Sequence, residues 1–274
     1  MSVISELAKH QISELDRAIV QLTGLGIFFA FRSCEYLKVT QAEQRQTLQI
    51  RLRNIRFMKG GEVIPHSHPH IDFADNVAIT FERQKREQKH DTITHEATGD
   101  SVLCPVRFAA GLVRRIRSYP STDSNTHVSA YMNSGEIADV TSAQVVNALR
   151  DAIGAIGEAR LGIAKHEVGT HSLRSGAAMA MYLGECPVYT IMLMGRWSSD
   201  AFLRYIRKQV LEFSHNVSKR MLRFRTHRHV PDFDPGIAAN DPRVRNDPNN
   251  AETRRNVGGD ATRRNRLPAF SQFN

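Results

Sequence analysis

Two hydrophobic rhythms divide this chain, and the place where they change over constrains the fold more than any other feature. Residues 48–58, Leu-Gln-Ile-Arg-Leu-Arg-Asn-Ile-Arg-Phe-Met, alternate apolar and polar, the period of a half-buried strand, and a Lys59-Gly-Gly turn follows as a hairpin requires. Val77-Ala-Ile-Thr-Phe81 and Asp91-Thr-Ile-Thr-His95 are two further strand candidates, joined by the charged run Arg-Gln-Lys-Arg-Glu-Gln-Lys-His. Elsewhere the apolar spacing is helical. Leu7, Ile12, Leu15, Ile19, Val20 and Leu22 predict a helix, Gly24-Leu25-Gly26 a break, and a second helix entered near Ile27 carries Phe31, Arg32, Glu35 and Leu37. More helices are predicted at 104–118, 142–159, 171–184, 187–194, 199–208 and 210–223, with the turn-rich stretch 120–126 between the first two. The fold class that follows is α+β, mainly α-helical, with a small antiparallel β-sheet.

With 274 residues, 41% of them hydrophobic, the chain can bury a proper core. Its formal charge of +9 favours polyanionic partners. From residue 226 onward the composition turns to Asp, Asn, Pro, Gly and Arg, which predicts a disordered polar tail over 226–274 and an ordered domain over 1–225. The tail carries eight arginines against six acids, so most of the positive charge belongs to the ordered part. Cys34, Cys104 and Cys186 are isolated in sequence, which excludes a disulfide framework or zinc knuckle. An N-terminus with no apolar core region and no long apolar stretch predicts a soluble, intracellular protein without a membrane.

The residues with chemical potential cluster late in the chain. His171 and Arg174 stand three apart on a helix that Thr170 is placed to cap, so both can reach one anion. Trp197 offers an indole N–H, and Tyr205 a phenol whose pKa, normally about 10, surrounding cations would favour in its anionic form. Arg32 lies three residues before Glu35, whose carboxylate can orient the guanidinium. Two arginines from separate segments make a clamp for phosphate oxygens, which gain negative charge when a phosphodiester is attacked. Tyr182 and Tyr189 read as packing residues.

Phe31-Arg32-Ser-Cys-Glu35-Tyr-Leu37, His171-Ser-Leu-Arg174, Leu193-Met-Gly-Arg-Trp197 and Tyr205, in that order, resemble the catalytic domain of a tyrosine recombinase of the phage-integrase superfamily. The flanking text also resembles recombinases of eukaryotic mobile elements. The resemblance implies site-specific DNA recombination by strand cleavage and rejoining through a 3′-phosphotyrosyl intermediate. Tyr205 would be the nucleophile, Arg32, Arg174, His171 and Trp197 the transition-state donors, and Glu35 the support of Arg32. It implies a general-acid lysine on a β-hairpin, for which Lys85 is preferred over Lys89. It also implies double-stranded DNA as partner, self-association as a tetramer on DNA, and no metal or small-molecule cofactor. A eukaryotic source would place the protein in the nucleus.

Two departures accompany the resemblance. Trp197 and Tyr205 are eight residues apart, one fewer than in many members, and only 31 residues precede Arg32, so the usual N-terminal core-binding domain is expected to be missing. A type IB topoisomerase-like strand passage and a catalytically inactive DNA-binding remnant are the alternatives. His66-Ser-His-Pro-His70 resembles a metal tract but lacks Cys or carboxylate companions, and reads as a solvated loop. Arg204, Arg207 and Lys208 are candidate phosphate contacts on a basic helix face, with a purely solvated face the other reading. The arginines of the tail serve either a nuclear-import or DNA-contacting segment or an ordinary disordered tail. No Gly-x-Gly-x-x-Gly or Walker run marks a nucleotide cofactor.

Overall fold

The computed structural model describes residues 1–38, 47–83 and 89–197, with the backbone alone at residues 89 and 90. Its N-terminal half is built on one long helix. After the short α1 (Ser2–Leu7), Ser13 opens α2 (Glu14–Phe28) with a capping box: its hydroxyl accepts from the Asp16 N–H at 3.1 Å, and the Asp16 carboxylate accepts from the Ser13 N–H at 2.9 Å. The helix runs unbroken through Gly24 and Gly26, against the expected interruption there. These glycines are sites of close approach. A Cβ on Gly24 would lie 2.5 Å from the Phe108 ring, and one on Gly26 would lie 3.2 Å from Leu173. Tertiary packing thus outweighs the weak helix propensity of glycine.

The strands form one four-stranded antiparallel sheet, ordered β2-β1-β3-β4, from β1 (Ile55–Lys59), β2 (Glu62–Ile64), β3 (Asn76–Arg83) and β4 (Lys89–Glu96). Pairing of Ile79 with Ile93 and Phe57 with Val77 puts these apolar side chains in the core. The expected strand over 48–58 is shorter than its alternation suggests, because residues Leu52–Asn54 form a single 3-10 turn before β1 begins. The Asn54 side chain closes that turn by accepting from the Arg51 N–H at 2.8 Å.

Helix α4 (Pro105–Arg117) packs on α2 and the sheet. Its buried Arg115 donates to Gln21 at 2.7 Å, Tyr119 at 2.9 Å and the Ala130 carbonyl at 2.7 Å, joining α4 to α2 and to the hairpin that follows. That hairpin, β5 (Ala130–Asn133) and β6 (Glu136–Asp139), was not expected from the sequence. Ser134 and Gly135 at φ 50° and 90° make its two-residue turn, a pairing of positive φ values that matches strand twist.

Helix α5 (Ser142–Ile156) starts from a Thr141–Gln144 capping box and stops at Gly157, where φ is 101°. The single helix expected over 142–159 is therefore two, with α6 (Glu158–Leu161) beyond the glycine. Helix α7 (Ser172–Leu183) packs against α2, and α8 (Val188–Gly195) packs against α7. Among the described residues no helix is long and apolar enough to cross a membrane. The expected helices at 199–208 and 210–223 and the tail lie outside the described residues.

Candidate active site

Three separate segments converge beside the C-terminal end of α2. The first is Phe29–Arg32, which leaves α2 and enters the short helix α3 (Ser33–Tyr36); the second is the first turn of α7; the third is the end of α8. Ala30 adopts φ 47°, a left-handed conformation that costs a β-carbon-bearing residue roughly 1–2 kcal/mol. What sustains it is the use made of the neighbouring carbonyls. Arg174 donates to the Ala30 carbonyl through Nη1 and to the Gly195 carbonyl through Nη2 at 2.5 Å. Arg196 donates to the Phe29 carbonyl at 2.9 Å and to that of Ala30 at 3.4 Å.

Glu35 is fully buried and holds Arg32 and Arg196 together. Arg32 is not inside a helix, as the spacing had suggested, but stands at the N-cap of α3. Its main-chain N–H donates to Glu35 Oε2 at 2.8 Å and its Nη1 donates to Oε1 at 2.8 Å. Glu35 thus contacts Arg32 through capping geometry rather than across a helix face. Arg196 donates from Nη2 to Oε2 of the same carboxylate, also at 2.8 Å. Burial pushes the Arg196 pKa down, and the charge of Glu35 pulls it back up. The Tyr36 phenol beside this pair is pushed well above its usual range, by burial and then by the Glu35 charge.

Arg196 is the residue that sequence reasoning passed over. It ends α8 in the left-handed region, φ 54° and ψ 45°, and its guanidinium stacks 3.7 Å from the centre of the Phe81 ring. The signal lies in the Gly-Arg-Trp triplet, where an arginine directly follows the apolar stretch Val188–Gly195. Gly195 matters just as much. The Trp197 ring lies so close over it that a Cβ would meet the indole at 1.7 Å, and Arg174 sits 4.3 Å from the centre of that ring.

The site therefore brings together Arg32, Glu35, Arg174 and Trp197, with Arg196 in addition. Arg174 and Arg196 are only 3% and 5% exposed, while the Arg32 side chain is 24% exposed and the guanidinium of the three most open to solvent. His171 is the N-cap of α7, in place of Thr170, and is exposed. Tyr189, expected to pack, is 71% exposed on α8. Lys85 lies outside the described residues, between the paired positions Arg83 and Lys89; the backbone of Lys89 belongs to β4 rather than to the turn. Tyr205, Arg204, Arg207 and Lys208 also lie outside the described residues. The His66–His70 tract serves the fold locally: His66 Nε2 lies 2.7 Å from the Ile55 carbonyl, and His68 Nδ1 accepts from the His70 N–H at 3.2 Å.

No protein-family model matches the chain, and no curated protein matches it. Among solved structures, it is similar to XerH site-specific recombinase bound to difH substrate in a pre-cleavage complex, at 14% identity and TM-score 0.48, over 79% of this chain and 50% of that one. A post-cleavage complex of the same recombinase on a palindromic difH substrate gives 14% identity and TM-score 0.48, over 80% of this chain and 51% of that one. The chain thus spans about half the length of these neighbours.

Proposed function

We propose that this chain is a DNA breaking and rejoining enzyme of tyrosine-recombinase type. One observation carries the reading: three guanidinium groups from three segments converge at one place, Arg32 and Arg196 on the two oxygens of the buried Glu35 carboxylate and Arg174 beside them on the Ala30 and Gly195 carbonyls. Guanidinium groups gathered in this way favour an anion beside them, and their planar donor geometry suits phosphate oxygens.

In this reading Arg32 and Arg174 bind the non-bridging oxygens of a scissile phosphate, His171 and Trp197 add donors, and Glu35 holds Arg32 in place. The Tyr205 oxygen attacks phosphorus, forming a 3′-phosphotyrosyl bond as the bond to the 5′ oxygen breaks. Lys85 supplies the proton taken up by that leaving oxygen. The covalent bond conserves the energy needed for rejoining, so the scheme uses neither ATP nor a metal ion. Double-stranded DNA is the substrate, and strand exchange between two duplexes calls for a tetramer. Arg204, Arg207 and Lys208 would contact the flanking phosphates.

The test uses a pool of nicked duplexes randomised around the nick, whose short leaving strand diffuses away and traps the intermediate. The parent protein forms a detergent-stable adduct in the presence of chelator, and Tyr205→Phe forms none. Equal adduct from both would overturn the nucleophile assignment, and none from either would overturn the reading as a whole.

A further inference from the structure

We infer that Arg196 is a positioning residue for Arg32, acting through Glu35, in the reaction proposed above. The inference rests on that reading and adds a residue to it. The Arg196 side chain is 1% exposed, so it serves a substrate only through what it holds.

Both of its polar ends bear on Arg32. Its Nη2 donates to Glu35 Oε2 at 2.8 Å, while Oε1 of the same carboxylate accepts from Arg32 Nη1 at 2.8 Å. Its main-chain carbonyl accepts from Arg32 Nη2 at 3.4 Å. Without Arg196, Oε2 would be held by the neutral Arg32 N–H, a weaker donor than a guanidinium. The charge-assisted bond from Arg196 adds the stronger hold on Oε2 and so keeps Oε1 turned toward Arg32 Nη1.

Arg196 is itself held rigidly. The Phe81 ring centre lies 3.7 Å from its guanidinium carbon, the Phe29 carbonyl accepts from Nη1 at 2.9 Å, and that of Ala30 from Nη2 at 3.4 Å. A lysine would keep the charge but not the planar fork or the stack. Rigid support of this kind matters in catalysis because small errors in placing a charged donor lower the rate of the chemical step more than they lower substrate binding.

A purely structural Arg196 would affect stability, and its effect on rate would be independent of Arg32. The test is a double-mutant cycle on the rate of adduct formation at saturating protein, with the randomised nicked pool as probe, alongside DNA affinity. Arg196→Gln is expected to slow adduct formation by about tenfold or more while changing DNA affinity by less than about threefold. Arg196→Lys should recover part of the rate. In an Arg32→Lys background, Arg196→Gln should cost less than about twofold further.

The full loss persisting in that background, or no loss of rate, would overturn the inference while leaving the proposed function standing. Should Arg196→Gln fail to fold, Arg196→Lys carries the same cycle with the same criterion. Absence of any adduct from the parent chain would overturn the proposed function and this inference with it.

Discussion

An alanine at position 195 tests how the indole is held over Arg174. A Cβ on Gly195 would lie 1.7 Å, 2.0 Å and 2.4 Å from three carbons of the Trp197 ring. Carbon atoms normally meet at about 3.5–4.0 Å, so the ring must withdraw by about 2 Å. The Arg174 guanidinium carbon now lies 4.3 Å from the ring centre. A withdrawal of that size reaches the edge of cation–π attraction, near 6 Å, and forfeits about 0.5–2 kcal/mol. Opposing this, alanine is favoured over glycine in a helix by up to about 1 kcal/mol. Gly195 is not among the glycines at positive φ, so the new side chain adds no backbone strain. The net destabilisation is therefore about 1 kcal/mol, a fall of a few degrees in melting temperature. The environment of the indole changes far more. Trp197 is the chain's single tryptophan, so its fluorescence reports that environment without ambiguity. Gly195→Ala should shift emission to the red and raise quenching by acrylamide. Unchanged emission and quenching would refute the account of the indole stacked on Gly195 and Arg174.

Two further outcomes follow from the packing. His95 lies edge-on to the Phe28 and Phe29 rings, and burial lowers its pKa from 6.5 to about 4, opposed by a hydrogen bond to the Phe28 main chain. The unfolded chain therefore takes up a proton here that the folded chain resists: the stability is fully present above about pH 6.5 and is lost as pH falls toward 4, by up to about 3 kcal/mol. Urea titrations across that window should show this loss, and His95→Gln should flatten it; an equal slope in both proteins would contradict the assignment. Gly24→Ala should destabilise by about 1–3 kcal/mol through overpacking against Phe108, and a neutral or stabilising result in chemical denaturation would show that α4 shifts freely away from α2.

The parts of the fold that were legible in the sequence are those whose period reflects one-sided burial. β3, β4, α4, α7 and α8 all fall within a few residues of their expected positions. What misled was glycine. Gly24 and Gly26 read as a break but are places where Phe108 and Leu173 approach α2, while Gly157, unremarked, does end a helix. The β5–β6 hairpin was missed because its strands have four residues each, too few for alternation to stand out. Within the site, Arg32, Glu35, Arg174 and Trp197 were legible as residues, and the structure brings them together. Arg196 was not, because its importance depends on burial against Phe81 and Glu35, which lie more than 100 residues away in sequence.

The central claim, that Tyr205 forms a covalent bond with DNA over this arginine cluster, is tested most directly by peptide mapping of the trapped adduct. Proteolysis and nuclease digestion followed by mass spectrometry should find nucleotide attached through a 3′ phosphate to the peptide containing Tyr205. Attachment at another residue, or through a 5′ phosphate, would contradict the account.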